Sequence, residues 1–430
     1  MKKTLLLTLI IFNLIVLSCT TPVKKEEKPM TIIRQPAEFE SQDAVWLIWP
    51  PSDHKEDESV HEVTLSIIDA LVDDLNVVVT CATDELCDQA RKILNQRFKE
   101  SLNLTVQALP SVELWARDMG PVFVETNQKT LAIADFNFDA WGHADTLDAD
   151  AKIEEMYDVG VAKLLNLPVI SSAMVSEGGN REVNGKGTLM VTESVEKGRN
   201  PAMSRSAMEA EYERLLGVKK TIWLKQGLRE DDHTFLGPLS TGEGTKAYTV
   251  VTTNGHIDEF ARFVNDSTIL LAAVDSSDFD DPIALENHRR MAENYEILSK
   301  ARDQDGKPFQ VVRMPLPKTI LTKMGPGDYV YDYIKTLDYQ DGSKFPEGDS
   351  ITVVAAASYL NFLITNKVII GQKYWRQGMS EEIKLRDLKA AAILRSVFPN
   401  RKVVMLDALA VNLGGGGIHC ISMQQPTFRK

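Results

Sequence analysis

The chain has 430 residues, of which 43% are hydrophobic and 25% are charged, and these are the proportions of a globular protein. Its formal net charge of −13 at pH 7 argues against a nucleic-acid partner and weakly favours a cationic small molecule. A chain of this length forms two or three domains or one closed α/β unit, so length alone does not decide between them.

The first residues have the pattern of a secretory signal. Lys2 and Lys3 precede an apolar run over residues 5–17, and a small residue stands before the expected cleavage site. The run is too short for a comfortable membrane span. We therefore predict that residues 1–18 are a signal peptide and that the chain is exported.

Cys19 follows the expected cleavage site. The sequence Val-Leu-Ser-Cys at 16–19 resembles a bacterial lipoprotein box, in which the cysteine becomes the lipidated first residue. We predict a lipid anchor at Cys19, a polar tether over residues 19–33 and a single folded domain over residues 34–430. The anchor, as the only membrane contact, would hold the protein on the bacterial cell envelope, at the periplasmic or outer-membrane face. Plain secretion with an incidental Cys19 is the alternative.

Periodicity and turn residues divide the rest of the chain into alternating strands and helices. The predicted strands are at 44–50, 76–80, 103–109, 122–124, 130–136, 168–174, 188–192, 219–224, 248–252, 269–274, 308–314, 368–370 and 402–406. The predicted helices are at 59–75, 84–99, 151–167, 201–216, 283–303 and 380–397. Residues 229–247 and 315–350 lack a period, and we predict long loops there. The opening β-α-β-α-β order is typical of an α/β fold.

Short polar segments precede several predicted strand pairs. Five of them have the same place in the pattern, around Asp118, residues 177–180, residues 256–258, Asn361 and Cys420. Self-similar units of this kind predict a closed, radially repeated α/β architecture. In such a fold these five segments, which we call the corners, would converge at the centre.

Residues 412–420 read Asn-Leu-Gly-Gly-Gly-Gly-Ile-His-Cys and contain four consecutive glycines. Such a run does not fill a core, and it lets backbone N–H groups approach another group closely. We interpret it as a loop that presents Cys420 as a nucleophile; a flexible turn before a buried structural cysteine is the alternative. His256 and Asp258 are two residues apart, so on an extended segment both would line one pocket.

Together the corners carry the groups needed to bind and attack a flat cation. Carboxylates such as Asp118, Glu177 and Asp258 bind a guanidinium through paired, charge-assisted hydrogen bonds. A Cys420 thiolate could then attack the guanidinium carbon. His256 could carry protons to the leaving ammonia and from the attacking water.

The other cysteines and histidines leave two smaller questions. Cys81 and Cys87 could form a disulfide in an oxidising compartment, or both could be packing residues, and their spacing does not decide. A zinc site is conceivable but disfavoured, since no spaced Cys/His pair supports it. Its candidate ligands are His256, Asp258, His419 and Cys420.

Four motifs, in this order, resemble those of the agmatine deiminase and bacterial peptidylarginine deiminase family. They are Trp-Ala-Arg-Asp-Met-Gly-Pro from Trp115, Glu-Gly-Gly-Asn from Glu177, Asn-Gly-His-Ile-Asp-Glu-Phe from Asn254, and Gly-Gly-Gly-Ile-His-Cys followed by Gln-Gln-Pro. The similarity extends from about residue 34 to residue 426. The resemblance implies the pentein fold, a fivefold pseudosymmetric α/β propeller. It also implies hydrolysis of a guanidine to a ureido group and ammonia, with no metal and no cofactor.

The resemblance further implies a role for each matching position. Cys420 is the nucleophile that forms a covalent thiouronium intermediate, and His256 is the general acid and base. Asp118 and Asp258 clamp the guanidinium, while Glu177 steadies His256 and contacts the substrate. The further substrate-binding positions are Trp115, Arg117, Asn361 and Gly416.

The expected reaction of this guanidine-deiminase domain converts agmatine to N-carbamoylputrescine and ammonia, a step of putrescine biosynthesis. The export signal and the extra segment 233–252 depart from the usual cytosolic agmatine deiminase. A peptidylarginine deiminase that makes citrulline residues is therefore the main alternative. An amidinotransferase and a non-catalytic guanidine-binding lipoprotein are the others. The expected partner is a small cationic guanidine, and the oligomeric state, with a homo-oligomer among the options, stays open.

Overall fold

The computed structural model of the protein describes residues 29–99, 101–144, 146–242, 244–346, 348 and 350–428. The predicted signal peptide, Cys19 and most of the predicted tether lie outside the described residues. Residues from Thr31 onward form one compact unit. A helix with the length and apolar surface of a membrane span is not found among the described residues.

Short strands and medium-length helices alternate through this unit. The strands are β1 (Ile32–Arg34), β2 (Gln42–Ile48), β3 (Asn76–Cys81), β4 (Leu104–Ala108), β5 (Val122–Thr126), β6 (Leu131–Asn137), β7 (Val169–Val175), β8 (Glu182–Val183), β9 (Thr188–Thr192), β10 (Lys220–Leu224), β11 (Leu239–Ser240), β12 (Lys246–Thr249), β13 (Ala261–Phe263), β14 (Thr268–Ala273), β15 (Gln310–Pro315), β16 (Leu321–Met324), β17 (Ile351–Val354), β18 (Leu363–Ile364), β19 (Val368–Lys373), β20 (Lys402–Asp407) and β21 (Ser422–Pro426). The helices are α1 (Val60–Leu71), α2 (Asp84–Phe98), α3 (Ala149–Glu155), α4 (Tyr157–Leu165), α5 (Glu193–Arg199), α6 (Arg205–Leu216), α7 (Pro282–Lys300), α8 (Tyr329–Ile334), α9 (Glu381–Val397) and α10 (Leu409–Asn412).

Five groups of three strands share one order, in which an antiparallel pair is followed by a parallel neighbour of its second strand. The groups are β5–β6–β7, β8–β9–β10, β13–β14–β15, β18–β19–β20 and β21–β2–β3. In each group at least one helix joins the two parallel strands, as a parallel crossover requires. The fold is therefore mixed α/β, and the repeat predicted from the sequence has a counterpart in the strand order.

Each corner lies shortly before the first strand of one group. The pairs are Asp118 with β5, residues 177–180 with β8, residues 256–258 with β13, Asn361 with β18 and Cys420 with β21. The corners are thus equivalent positions of the five groups. The last group also joins the two ends of the chain, because β21 pairs with β2.

The two predicted long loops contain regular structure, so that prediction was wrong. Residues 229–247 include β11, and residues 315–350 include β16 and α8. A further sheet with the order β11–β12–β17–β16 joins the two stretches. Its strands are two to four residues long, too short for a period-2 pattern to show in the sequence.

Two local predictions also need correction. The predicted helix at 151–167 is two helices, α3 and α4, and the sequence analysis missed α5. Residues 256–258 are not extended, because Ile257–Glu259 forms a 3₁₀ turn. His256 and Asp258 are therefore brought together by this turn and not by the alternation of side chains along a strand.

Cys81 and Cys87 are buried free cysteines, so of the two alternatives left open by the sequence, packing is their role.

Candidate active site

Three corners meet around Gly179. A Cβ built on Gly179 would lie 2.5 Å from His256 Nδ1, 2.8 Å from Asp118 Oδ1 and 3.2 Å from Asp258 Oδ2. The backbone N–H of Gly179 donates a hydrogen bond to Asp118 Oδ1 at 2.8 Å. Groups far apart in the sequence thus lie within a few ångströms of one point, and of all residues only glycine fits between them.

Cys420 belongs to the same cluster. Its Sγ accepts a hydrogen bond from Asn361 Nδ2 at 3.0 Å and lies 3.5 Å from Asp258 Oδ2 and 3.9 Å from Glu259 Oε1. Burial and the carboxylates of Asp258, Glu259 and Asp118 raise the pKa of this thiol well above its usual value. These surroundings favour the neutral thiol, and a bound cation would favour the thiolate.

The glycine run before Cys420 is explained by close contacts. Gly415 has a φ of +121°, and a Cβ there would lie 1.7 Å from the carbonyl oxygen of Val251. A Cβ on Gly416 would lie 2.8 Å from both Cys420 Sγ and the Trp115 ring. The loop is therefore packed closely against the sulfur, which a merely flexible turn would not require.

The two clamp carboxylates differ in their surroundings. Asp118 Oδ2 accepts a hydrogen bond from Trp141 Nε1 at 2.8 Å, and burial together with Asp258 raises the pKa of Asp118. Burial would also raise the pKa of Asp258, but a hydrogen bond from His419 Nδ1 at 2.7 Å and the nearby His256 hold it below its usual value. Among the described residues, Asp258 Oδ1 has no hydrogen-bond partner. That oxygen can accept from a bound cation.

His256 lies between carboxylates. Its Nδ1 is 3.7 Å from Asp118 Oδ1, and its Nε2 is 3.6 Å from Glu177 Oε2. Burial alone would lower the pKa of His256, but Asp118, Glu177 and Asp258 raise it to about 9. Glu177 is itself fixed by Arg199 Nε, which donates to its Oε1 at 2.6 Å. The imidazole is protonated at neutral pH and can donate a proton to a leaving group.

Asn361 connects three parts of the site. Its Nδ2 donates to Glu259 Oε1 at 2.8 Å as well as to Cys420 Sγ, and its Oδ1 accepts the backbone N–H of His419 at 2.8 Å. One buried amide therefore fixes the sulfur, a carboxyl group and the loop backbone. The structure thus places Asn361 beside Cys420.

A narrow channel lies over Cys420. Its walls are Trp115, Asp118, Trp141, Val251, Thr252, Thr253, Gly414 and Gly415. Trp115 stacks on His54 with ring centroids 5.7 Å apart and meets Trp141 edge-on at 6.4 Å. Aromatic walls of this kind suit the apolar part of a slender ligand whose charged end reaches the carboxylates.

An outer chamber of about 220 Å³ continues the channel. The residues that the two spaces share are Trp115, Trp141, Val251 and Gly414. The chamber is lined by the acids Glu113, Asp148, Asp150 and Glu154, and no Lys or Arg is found among its described lining residues. Burial and the neighbouring Glu113 raise the pKa of Glu154 to about 8. Glu154 therefore holds its proton at neutral pH, and a cation bound in this acidic chamber would favour its ionised form.

Arg117 does not lie where a substrate-binding residue is expected. Its guanidinium donates to Glu38 at 2.8 Å and to Gln424, and the residue lines a different cavity from Cys420. We therefore correct the predicted role of Arg117 from substrate binding to support of the loop, since its backbone N–H also donates to the carbonyl oxygen of Cys420 at 3.0 Å.

Several residues of the site were missed from the sequence. The sequence analysis did not single out Trp141, and it named His419 only as a candidate ligand of a disfavoured zinc site. Asp231 accepts hydrogen bonds from the backbone N–H groups of Gly255 at 2.9 Å and of His256 at 3.0 Å, and thereby shapes the His256 corner. The spacing of these residues carried no signal, because each reaches its partner through the tertiary fold.

Two groups of side chains among the described residues have ligand atoms close enough together for a metal ion: Glu38, Glu182 and His419, and Asp258, Glu259 and Cys420. The first group is already balanced by Arg117 and Arg262, which donate to Glu38 at 2.8 and 2.7 Å. The second is the cysteine cluster itself, in which Asn361 occupies one oxygen of Glu259. In this second group, Asp258 Oδ1 and Glu259 Oε2 have no hydrogen-bond partner among the described residues.

Comparisons with known proteins agree with this geometry. The Porphyromonas-type peptidyl-arginine deiminase family model matches residues 34–236 and 241–426. The agmatine deiminase of Medicago truncatula is 30% identical over 407 residues, covering 91% of this chain and 96% of that protein. That of Pseudomonas putida is 32% identical over 404 residues, covering 91% and 95%.

Two solved structures are also similar. The agmatine deiminase of Enterococcus faecalis matches with a TM-score of 0.72 and 26% identity, covering 92% of this chain and 96% of that one. The putative arginine deiminase of Porphyromonas gingivalis matches with a TM-score of 0.68 and 25% identity, covering 93% and 99%. The family expected from the four motifs is therefore confirmed, and this chain belongs to the Porphyromonas-type peptidyl-arginine deiminase family.

Proposed function

We propose that the protein is a guanidine deiminase that hydrolyses agmatine to N-carbamoylputrescine and ammonia. One observation carries the proposal: Cys420 Sγ lies 3.5 Å from Asp258, in the cluster that also holds Asp118 and His256. The full-length similarity to proteins named agmatine deiminase supports the choice of substrate. Hydrolysis of an amidine C–N bond places the enzyme among hydrolases of linear amidines.

Binding begins with the planar head of the substrate. The guanidinium N–H groups donate to the free Oδ1 of Asp258 and to Asp118, since paired carboxylates match the fan of donors. The bound positive charge offsets the carboxylates that keep the thiol neutral. The pKa of Cys420 then falls, its proton leaves to solvent, and the thiolate forms beside the guanidinium carbon.

The thiolate attacks that carbon and forms a C–S bond. His256 gives its proton to one amino group, the C–N bond breaks and ammonia leaves, which yields a thiouronium on Cys420. The now neutral His256 takes a proton from water as the water oxygen attacks the same carbon. The C–S bond then breaks and the thiolate is regenerated, while the hydroxyl group on the carbon loses its proton to solvent and becomes the carbonyl of the ureido product. The released ammonia takes up one proton from solvent, so one guanidinium and one water give one urea group and one ammonium ion.

The tail of the substrate lies in the outer chamber in this proposal. Agmatine carries an ammonium at the far end of a four-carbon chain, whereas a C-terminal arginyl peptide carries a carboxylate near that place. The chamber is lined by four acids and lacks described Lys or Arg residues, so the tail ammonium of agmatine would meet acceptors and would itself favour the ionised form of Glu154. This observation favours agmatine over the peptide substrate.

Two structural proposals accompany the function. The five strand groups and their converging corners support a pentein arrangement, in which the groups stand radially around the site.

The sequence of residues 1–19 supports export and a lipid anchor at Cys19. A Cys19→Ser variant that stays with the membrane fraction as fully as the wild type would contradict the anchor.

A substrate screen tests the function. Wild-type protein and Cys420→Ala are incubated with agmatine, free arginine and a C-terminal arginyl peptide, and ammonia and ureido product are measured. We expect turnover of agmatine well above that of the other two, and none with Cys420→Ala. Preference for the peptide would support the peptidylarginine alternative, guanidino transfer to an added amine would support an amidinotransferase, and no turnover of any guanidine would contradict the proposal.

A further inference from the structure

His419 stands directly before the nucleophile and is fully buried between two acids. Its Nδ1 lies 2.7 Å from Asp258 Oδ2, and its Nε2 lies 2.8 Å from Glu38 Oε1. An ionised carboxylate can only accept, so Nδ1 is the donor in the bond to Asp258, and Nε2 can donate to Glu38 when it carries a proton. The mechanism proposed above gives this ring no task, although it contacts a clamp residue directly.

Glu38 comes from the opposite end of the chain and is itself firmly held. Arg117 Nη1 donates to its Oε1 at 2.8 Å, and Arg262 Nη2 and Gln424 Nε2 donate to its Oε2 at 2.7 and 3.1 Å. Arg262 also contacts Glu182, which places a second acid behind the first. Glu38 thus presents a fixed anionic end to His419 Nε2, so the imidazole has one favourable orientation.

His419, held by Glu38, affects the site through its contact with Asp258. His419 occupies Oδ2, while Oδ1 is buried without a hydrogen-bond partner among the described residues. A carboxylate anchored through one oxygen has a fixed plane and offers the other oxygen in a defined direction. Without the anchor, Asp258 could turn or take up a proton, since it is buried beside other acids.

We propose that His419, fixed by Glu38, is a positioning residue that holds Asp258 ionised and oriented for the guanidinium head of the substrate. The inference rests on the proposed function, because it gives a role to His419 through its contact with Asp258, one of the two carboxylates proposed to bind the guanidinium. His419 is not a catalytic residue in this proposal: both its ring nitrogens are engaged by acids, and it reaches the substrate only through Asp258.

The test must account for every charge around this pair. The groups that face Asp258 are His419, His256, Arg262, Asp118, Glu259 and Cys420. Those that face His419 are Asp258, Glu38 and Glu182. The hydrogen bond from His419 opposes the effect of burial on the pKa of Asp258, so its loss moves that pKa upward.

Two amide substitutions separate the two ends of the ring. The amide nitrogen of His419→Asn lies near the position of Nδ1 and can still donate to Asp258. That of His419→Gln lies near the position of Nε2 and can donate only to Glu38. The two variants carry the same amide group, and glutamine is closer to histidine in size than asparagine is. If His419 had only a structural role, His419→Gln would therefore have a milder effect than His419→Asn.

The readout is alkylation of Cys420 by 2-chloroacetamidine, a small amidinium, compared with neutral iodoacetamide from pH 5 to pH 9. In each reaction the thiolate forms a C–S bond and halide leaves. The ratio of the two rates isolates the clamp, because only the amidinium needs an ionised Asp258. Cys420→Ala supplies the background from the other three cysteines, Cys19, Cys81 and Cys87.

We expect His419→Gln to lower the ratio of the two alkylation rates about tenfold to a hundredfold, the worth of a hydrogen bond to a charged group. The acid limb of the pH profile of this ratio should move to higher pH, because loss of the hydrogen bond raises the pKa of Asp258. His419→Asn should keep most of the wild-type ratio. His288→Gln, an exposed histidine on α7, is the matched control and should change neither quantity. Equal ratios for His419→Gln and wild type, or a larger loss with asparagine than with glutamine, would overturn the proposal.

Glu38→Gln tests the contact between Glu38 and His419. It also keeps the proposal testable if both His419 variants fail to fold. We expect the acid limb of the pH profile of the rate ratio to move to higher pH in this variant as well. An acid limb at the wild-type pH would overturn the role of Glu38. A wild-type protein that shows no preference for the amidinium would instead contradict the guanidinium clamp, and the inference with it. A clear wild-type preference that the variants leave unchanged contradicts the inference alone.

Discussion

The carboxylate of Asp118 is held in place by two unlike donors. The backbone of Gly179 donates to one oxygen and the indole of Trp141 to the other, each at 2.8 Å. Trp141 has a φ of +56° and the preceding Ala140 one of +51°, a region that residues with a Cβ rarely adopt. A short turn that costs conformational energy therefore aims a ring N–H at a clamp oxygen.

Trp141→Phe removes this donor and keeps most of the ring packing. A hydrogen bond to a charged group is worth about 1.5–3 kcal/mol, so kcat/KM for agmatine should fall about tenfold to a hundredfold. Steady-state kinetics measure the loss, and thermal unfolding checks that the variant is folded. An unchanged kcat/KM would show that Asp118 does not need the indole.

The loop over residues 412–420 brings its backbone close to the nucleophile. Gly416 lies between the sulfur of Cys420 and the Trp115 ring, with no positive φ of its own. A substitution there tests packing against the sulfur and not backbone strain. The structure predicts that this position is closed even to one methyl group.

Gly416→Ala should therefore abolish most activity, by at least about a hundredfold, because a displaced reacting atom costs that much even for a shift of about 1 Å. Turnover of agmatine measures the loss. Gly198→Ala is the control: it lies in α5, where the nearest contact of the new Cβ is 3.7 Å away, and it should keep full activity. Near-normal turnover in Gly416→Ala would contradict the loop geometry.

The 3₁₀ turn that follows His256 is also set by one side chain. Asp231 accepts from the backbone N–H groups of Thr253 at 2.8 Å, Gly255 at 2.9 Å and His256 at 3.0 Å. The Asp231 carboxylate thus accepts hydrogen bonds from three backbone N–H groups around this corner, and these bonds orient the His256 imidazole.

Asp231→Asn replaces an acceptor oxygen by a donor and leaves at least one of these N–H groups unsatisfied. An unsatisfied buried group costs about 1–3 kcal/mol. We expect a lower melting temperature and a fall in kcat larger than the change in KM, because His256 acts in proton transfer. Separate kcat and KM values for agmatine decide this; a change confined to KM would argue against an effect through His256.

Strong local patterns could be predicted from the sequence. The apolar period of α7 and the β-branched run of β3 place these elements within a few residues of their observed bounds. The corners could be predicted because each precedes a strand pair. Glu38 could not be placed, since it meets His419 across 381 residues and only the closed fold brings them together. Arg117 was misplaced for a similar reason, because its motif position says nothing about its rotamer.

Over the whole molecule, buried ionisable groups link the site to the stability of the fold. The pKa of His256 is raised from 6.5 to about 9, and that of Glu154 from 4.5 to about 8. Both groups hold their protons more tightly when folded. Their contribution to stability is therefore complete at low pH, below each group's unfolded pKa, and is lost as the pH rises through the folded values.

We accordingly expect the melting temperature to fall between pH 6.5 and pH 9.5. Differential scanning fluorimetry across this range measures the slope, at constant ionic strength. His256→Gln removes one of the two titrations and should show a shallower fall than the wild type. Equal slopes in the two proteins would mean that His256 is not held in its charged form.

The pairing of β21 with β2 has a consequence for biosynthesis. Cys420 reaches its place only when the final strand docks beside one that left the ribosome nearly four hundred residues earlier. A chain that ends before Cys420 and β21 keeps Asp118 and His256 but lacks the proposed nucleophile. Chemical competence therefore requires the strand pairing that completes the last strand group.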